Sequence, residues 1–184
     1  MPNDLLAYYC SLFLNIFANL PTLPSSHNPT TAVIVMISCL EEGGKSKCHQ
    51  YWPSPSPSGR PTVACYGNYE VSLLREMDAD GFVLRKLEVQ YENQRRVVVQ
   101  LQMTSWPDHG VPGSASSFLA LHSAYRATTD QAGASGPPVI HCSAGVGRSG
   151  TFFCKASTLL LAAILEATAA AGLAWTGLTF LAGA

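Results

Sequence analysis

One segment, Val139 to Thr151, limits the fold of this chain more than any other, because it joins a strand to a helix through a glycine-rich loop. Its sequence is VIHCSAGVGRSGT. Val139 and Ile140 predict a short strand, and Gly145 and Gly147 permit a tight loop whose backbone N–H groups turn inward. A helix is predicted from Gly147 onward, with its N-terminus directed at the loop. This order is typical of a sheet covered by helices.

The loop has the composition of an anion-binding site with a nucleophile at its centre. Inward-facing amides and a helix N-terminus attract a tetrahedral oxyanion, and the guanidinium of Arg148 suits bidentate contact with two of its oxygens. In that positive field the thiol of Cys142 loses its proton readily, so that a thiolate is available for attack. The alternative, a structural cysteine before an ordinary turn, is disfavoured because Cys142 and Arg148 occur together in this loop.

A second segment, SWPDHGVP at residues 105–112, supplies a carboxylic acid. Its prolines and glycine predict a loop after a strand. Asp108 is the only acidic residue between Glu92 and Asp130, and an acid on a mobile loop suits the protonation of a leaving oxygen. Trp106 is a candidate hinge anchor. An alternative in which Asp108 is a simple turn residue or cap stays open on these residues alone.

The rest of the chain predicts strands with helices packed on them. The β-branched run 32–37 predicts a buried strand, and residues 41–45 a turn. Alternating patterns predict antiparallel strands at 63–74, 81–91 and 95–103, and helical spacing predicts a helix over 114–129. The segment PSPSPSGRP at 53–61 predicts a loop. The predicted fold class is α/β (α+β).

Composition excludes some partners. The 184 residues carry 11 basic and 12 acidic side chains, a net charge of −1, so no basic excess points to nucleic acid or to an anionic membrane. Six cysteines lack the spacing of zinc ligands, and we expect reduced thiols in the cytoplasm. Residues 167–184 form an uncharged stretch of minimal membrane-spanning length. The sequence nevertheless disfavours membrane attachment through 156–184, since Leu159 to Leu165 more simply predict a buried helix.

Three motifs together resemble the protein tyrosine phosphatase family. HCSAGVGRSGT resembles its phosphate-binding signature, SWPDHGVP its acid-bearing loop, and KCHQYWP at 47–53 the stretch after its first central strand. The resemblance covers roughly residues 32–154, and the Trp-Pro-Asp loop points to the tyrosine-specific branch. It implies a central mixed, highly twisted sheet flanked by helices. It also implies a hydrolase that dephosphorylates phosphotyrosine-containing proteins in signal transduction, with neither a metal nor a cofactor.

The resemblance also implies roles for individual residues. Cys142 would form a phosphocysteine intermediate, Arg148 would bind phosphate, and Ser149 would hydrogen-bond the sulfur. Asp108 would protonate the leaving group and later act as a base. Phosphate oxygens would be held by the backbone amides of Ser143, Ala144, Gly145, Val146, Gly147 and Arg148.

Supporting roles are implied for His141, which would set the environment of the cysteine, and for Trp106. A satisfied core histidine is the alternative for His141. Glu42, six residues before Cys48, would orient the arginine, although the neighbouring Glu41 is a competitor and a solvated turn acid is the plainer interpretation.

The resemblance stops at both ends. Residues 1–31 contain no Asn-Arg-Tyr element to set pocket depth, and no glutamine follows Gln131 to position water for the second step. We therefore expect three parts: a divergent segment 1–31, a partial phosphatase domain 32–155, and an apolar continuation 156–184. An incomplete fold with impaired activity and slow hydrolysis of the intermediate is expected. The alternatives are an inactive phosphotyrosine-binding module and a non-functional fragment.

Overall fold

The computed structural model describes residues 32–107, 110, 112, 114–131, 138–145 and 147–155. The chain divides into two compact units, Met1–Ser149 and Gly150–Ala184. In the second unit, residues 150–155 are described, and they are helical. All strands named below belong to the first unit. The predicted segments 1–31 and 156–184 lie outside the described residues.

The first unit contains a mixed sheet of six strands. Its strands are β1 (Ala32–Met36), β4 (Thr62–Tyr66), β5 (Tyr69–Ala79), β6 (Phe82–Tyr91), β7 (Gln94–Met103) and β8 (Val139–His141). They are arranged in the order β4-β5-β6-β7-β1-β8. A separate hairpin is formed by β2 (Glu41–Glu42) and β3 (Lys45–Ser46). Helix α1 (Ala115–Gln131) lies between β7 and β8 in the chain. The predicted mixed sheet with helices is confirmed.

Four consecutive strands, β4 to β7, form an antiparallel meander. The single strand predicted over 63–74 is wrong, because the chain reverses between Tyr66 and Tyr69 and makes two strands there. Gly67 permits this turn, since its φ of 62° lies in the left-handed region. The alternation of apolar and polar residues continues through the turn, so periodicity alone did not detect it.

The remaining strands run parallel. β1 lies between β7 and β8 and is parallel to both, with Val35 opposite Leu101 on one side and Ile140 on the other. Side chains from Val33 to Ile37 are at most 3% exposed, as expected for a central strand covered on both faces. Parallel strands end at the same edge of a sheet, so the segments that follow β1, β7 and β8 meet there. That edge holds the candidate site.

Helix α1 begins one residue later and ends two residues later than predicted. The hydroxyl of Ser114 accepts a hydrogen bond from the N–H of Ser116 at 3.1 Å, which satisfies one of the donors left unpaired at a helix start. Phe118 and Leu121 are buried. Among the helices in the described part of the chain, none combines the length and apolar character needed to cross a membrane.

Candidate active site

Three segments converge at the edge where the parallel strands end. The chain leaving β1 enters the β2–β3 hairpin, which carries Glu42. The chain leaving β7 reaches Trp106, and the chain leaving β8 reaches Cys142 directly after His141. Residues 148–155 are helical, so Arg148 stands at the start of a helix, six residues after the cysteine. The predicted loop and helix are therefore observed in that order.

Arg148 is held by a carboxylate and a carbonyl. Its Nη1 donates to Glu42 Oε1 at 2.7 Å and its Nη2 to Glu42 Oε2 at 3.1 Å, while Nη1 also donates to the carbonyl of Trp106 at 3.2 Å. The two side chains are 8% and 10% exposed. A bidentate pair fixes the plane of the guanidinium as well as its position. Residues from all three converging segments thus meet at Arg148.

The hairpin explains why Glu42, and not Glu41, contacts the arginine. Gly43 and Gly44 have φ values of 58° and 72°, which closes the two-residue turn between β2 and β3. The backbone N–H of Cys39 donates to Glu42 Oε1 at 3.0 Å and so holds the carboxylate from behind. Glu41 is exposed. The geometry therefore distinguishes two neighbouring acids that the sequence left open.

Cys142 is buried, with 6% of its surface exposed. Burial by itself raises the pKa of the thiol. The nearby polar groups of Ser149 and Gly145 and the charge of Arg148 act in the opposite direction, and the net pKa is lowered. Hydrogen bonds and positive charge stabilise a thiolate in the same way. Ser149, predicted to hydrogen-bond the sulfur, is also buried, and its hydroxyl has no hydrogen-bond partner among the described residues.

The loop between the cysteine and the helix has an exposed rim. Ser143, Ala144, Gly145 and Gly147 are exposed, whereas Cys142 and Arg148 at the two ends of the loop are buried. Gly145 has a φ of 75°, a conformation that glycine adopts without strain. Val146, the remaining predicted loop contact, lies outside the described residues. An exposed loop between a buried thiol and a buried guanidinium is suited to bind an anion that arrives from solvent.

His141 connects the cysteine to the interior. Its Nδ1 lies 3.2 Å from the carbonyl oxygen of Cys142, and its Nε2 lies 2.9 Å from the hydroxyl of Tyr51. Burial lowers the pKa of His141 to about 4, against a smaller raising effect of its hydrogen bond to the Cys142 carbonyl. The imidazole is therefore neutral at physiological pH.

No role was predicted for Tyr51 or for Gln100, whose amide donates to the Tyr51 hydroxyl at 2.7 Å. The available signal was a polar residue inside the apolar run 97–101, because a buried amide requires hydrogen-bond partners. Tyr51 belongs to KCHQYWP, but nothing in that motif names its partner.

Trp106 anchors the start of the segment that carries the predicted acid. It is 6% exposed, its ring meets that of Phe118 on α1 edge to face at 5.9 Å, and its Nε1 donates to the carbonyl of Gly110 at 3.3 Å. The predicted anchor is therefore packed against the helix. Asp108 lies outside the described residues, so the structure gives no geometry for it.

Residues 27–168 match the sequence model of the family described as protein-tyrosine phosphatase. This match covers more than half of the chain and extends past both predicted domain boundaries, 32 and 155. The chain belongs to the protein-tyrosine phosphatase family.

Individual relatives agree with this assignment. The chain is 38% identical over 133 residues to tyrosine-protein phosphatase non-receptor type 4 of Mus musculus, covering 71% of this chain and 14% of the relative. It is 39% identical over 128 residues to receptor-type tyrosine-protein phosphatase S of Gallus gallus, covering 68% and 8%. It is 38% identical over 128 residues to receptor-type tyrosine-protein phosphatase F of Homo sapiens, covering 68% of this chain and 6% of the relative. The chain thus spans at most about a seventh of the length of these relatives.

Proposed function

We propose that this chain removes phosphate from phosphotyrosine in proteins through a cysteinyl-phosphate intermediate. The observation that carries the proposal is the buried Arg148–Glu42 pair beside a cysteine whose pKa is lowered. A thiolate next to a fixed guanidinium is suited to attack on a phosphoryl group, because the same positive charge binds the oxygens and stabilises the sulfur anion. Family membership and the names of the relatives support the same chemistry.

The first step transfers the phosphoryl group to sulfur. The Cys142 thiolate forms a bond to phosphorus as the bond from phosphorus to the tyrosine oxygen breaks. Asp108 gives its proton to that oxygen, so the product leaves as neutral tyrosine. Arg148 and the amides of residues 143–148 bind the three remaining phosphoryl oxygens, whose charge they balance through the transition state.

The second step regenerates the enzyme. Water forms a bond to phosphorus as the bond from sulfur to phosphorus breaks, and the Asp108 carboxylate takes the proton that the water loses. The electron pair returns to sulfur, where Ser149 and the charge of Arg148 stabilise the thiolate. The factors that lower the pKa of Cys142 therefore also make it a good leaving group.

The test uses the purified chain with p-nitrophenyl phosphate and with a tyrosine-phosphorylated peptide. Cys142→Ser is expected to abolish turnover, and Asp108→Ala to reduce kcat strongly for the peptide, whose leaving group needs the proton more. Mass spectrometry of the acid-quenched wild-type reaction is expected to detect one added phosphoryl group on Cys142. Unchanged turnover in Cys142→Ser would refute the proposed function.

A second function, phosphotyrosine binding without turnover, is favoured by the same anion-binding loop, since binding needs the amides and Arg148 but no acid. Calorimetry separates the two functions. Binding of a phosphotyrosyl peptide to the wild-type chain, with no phosphate released over hours, would select the binding module.

We further propose that residues 32–155 form the catalytic part, that phosphotyrosine-containing proteins are its substrates, and that it acts in the cytoplasm. A reducing compartment suits a thiolate nucleophile, which oxidants would otherwise inactivate. Fractionation of cells that express the tagged chain tests the location: enzyme in an organelle lumen would contradict it.

A further inference from the structure

A line of hydrogen bonds runs from the middle of the sheet to the backbone of the nucleophile. Gln100 Nε2 donates to the hydroxyl of Tyr51 at 2.7 Å, and that hydroxyl lies 2.9 Å from His141 Nε2. The other ring nitrogen, Nδ1, lies 3.2 Å from the carbonyl oxygen of Cys142. Gln100 and Cys142 are therefore linked through two side chains.

The direction of each bond follows from the groups at the two ends. A carbonyl oxygen only accepts, so the proton of His141 is on Nδ1, and Nε2 of the neutral ring is an acceptor. The Tyr51 oxygen already accepts from the Gln100 amide, so its one proton is available for Nε2. Met36 Sδ, 3.8 Å from the same hydroxyl, is a much weaker acceptor.

Arg85 decides which end of the Gln100 amide faces Tyr51. Its Nη1 donates to Gln100 Oε1 at 3.1 Å, and a guanidinium has no acceptor, so the amide nitrogen must be at the other end. Arg85 is itself held by an ion pair with Glu76 and by the ring of Trp52, 4.4 Å from its guanidinium carbon. The polarity of the line is thus set by a fixed cation in the antiparallel part of the sheet.

We propose that Gln100 is a positioning residue: through Tyr51 it reinforces the tautomer of His141 that bonds the Cys142 carbonyl, and it thereby helps to hold the peptide that carries Cys142. Gln100 is 0% exposed, and burying an amide is costly unless its groups are paired. Because the Tyr51 oxygen accepts from Gln100, the Tyr51 hydroxyl presents its proton to the His141 ring. Naming Cys142 as the nucleophile rests on the proposed function, whereas the hydrogen-bond polarity does not.

The test reverses that polarity. In Gln100→Glu a carboxylate, which only accepts, replaces the donor, and Arg85 beside it favours the ionised form. The Tyr51 proton then turns to the carboxylate, and His141 Nε2 faces an oxygen lone pair. At pH 6.5, long-range ¹⁵N–¹H NMR of the ring is expected to change from the Nδ1–H form to one that carries a proton on Nε2. A ring that keeps the wild-type form would overturn the proposal.

Gln102→Glu is the matched control. Gln102 lies two residues along β7, is 4% exposed, and also accepts from Arg85 Nη1, at 2.7 Å. Its amide nitrogen, however, donates to the carbonyl of Ser38 and not to Tyr51. The His141 ring is expected to keep its wild-type form in this variant. The same change in both variants would mean that any added charge suffices, which contradicts a directed line.

The effect on the nucleophile is measured by the rate at which iodoacetate alkylates Cys142 across pH 5 to 9. Among the described residues, the ion pair at the nucleophile end of the line is Arg148–Glu42 and the one at the far end is Arg85–Glu76. The variants keep both pairs. Gln100→Glu is expected to change the rate at pH 6.5 at least about threefold, a half-unit effect on the thiol. Gln102→Glu is expected to stay within error, and equal profiles for all three proteins would overturn the link to Cys142.

Two further variants keep the test decisive. If Gln100→Glu does not fold, Gln100→Met removes the donor without adding charge, and a mixture of His141 tautomers is expected; a single wild-type tautomer would count against the proposal. In the Tyr51→Phe background the substitution at 100 is expected to have no effect on the ring, because the connecting hydroxyl is gone. Neither NMR nor alkylation needs turnover, so lack of phosphatase activity with an intact ring response would refute the proposed function alone.

Discussion

The two halves of the sheet differ in how they are connected and in what they carry. The antiparallel half, β4 to β7, is joined by short turns, such as residues 92–93 between β6 and β7. In the parallel half, β1 is separated from β7 by 57 residues and β8 follows only after helix α1. Reversing turns send successive loops to opposite edges, whereas parallel strands send theirs to one edge. The half that depends on distant pairings therefore assembles the site, and the locally connected half supports it.

This difference predicts that substitutions in the segments that follow the parallel strands change activity more than stability. Arg148→Lys gives the largest effect, because an ammonium cannot keep both bonds to Glu42 and the planar contact with phosphate. We expect kcat to fall about a thousandfold, or about 4 kcal/mol, in a steady-state assay with p-nitrophenyl phosphate.

Arg95→Lys is the control in the antiparallel half. Arg95 is 64% exposed and forms a 3.6 Å ion pair with Glu88. An exposed pair contributes little, so neither kcat nor the urea midpoint should move. A loss of activity in Arg95→Lys comparable to that in Arg148→Lys would remove the distinction between the two halves.

The second prediction concerns pH and His141. Burial lowers its pKa from the ordinary 6.5 to about 4, so the unfolded chain binds the proton more tightly than the folded chain. The free energy by which neutral His141 favours the folded state is therefore fully present above about pH 6.5, and it is lost as the pH falls toward 4. Urea unfolding from pH 7 to pH 4.5 should reveal a loss of at most about 3 kcal/mol from this group.

His141→Asn removes the titrating ring but retains a side-chain N–H donor for the Cys142 carbonyl. The part of the pH dependence that comes from the histidine should disappear in this variant. Parallel stability curves for the two proteins between pH 4.5 and 7 would show that His141 does not titrate as described.

The third prediction concerns a substitution in the antiparallel half, where we expect stability to fall and activity to be retained. Gly81, at the turn between β5 and β6, has a φ of 81°, and an added Cβ would lie 2.6 Å from the Cβ of Ser117 on α1. Gly81→Ala should therefore lower the free energy of unfolding by about 2 kcal/mol, from backbone strain and crowding together. The kcat of the folded fraction should stay near the wild-type value.

Gly59→Ala separates the two causes. Gly59 has a φ of 67°, but nothing lies within 4 Å of an added Cβ. Only backbone strain remains, so a loss of about 1 kcal/mol is expected. Equal losses in Gly81→Ala and Gly59→Ala, measured by urea denaturation, would argue that crowding against α1 contributes nothing.

Apart from the control variants, the smallest effect is expected for Glu42→Gln. The amide keeps the shape of the side chain but offers Arg148 one acceptor where the carboxylate offers two. Looser orientation of the guanidinium should lower kcat/KM about tenfold. The exposed neighbour supplies the control, since Glu41→Gln should have wild-type kinetics. A larger loss in Glu41→Gln than in Glu42→Gln would contradict the observed pairing.

Local patterns predicted most of the individual elements, and their failures have local causes. The run 32–37 became the buried strand β1, because a β-branched apolar run of that length suits a central parallel strand. The strand over 63–74 failed, because Gly67 and Asn68 reverse the chain without interrupting the alternation. Helix α1 was found to within two residues at each end.

The sequence by itself determined the chemistry of the loop: a cysteine after a strand, glycines in the turn, and an arginine at the helix start are adjacent in the chain. Only the tertiary structure decided which acid orients that arginine, since Glu42 and Arg148 are 106 residues apart. It likewise joined Gln100 to Tyr51, 49 residues earlier. Such pairs form only when the assembled sheet brings distant segments together. For Gln100 the register of β7 also matters, since shifting a strand by a single residue turns each of its side chains to the opposite face.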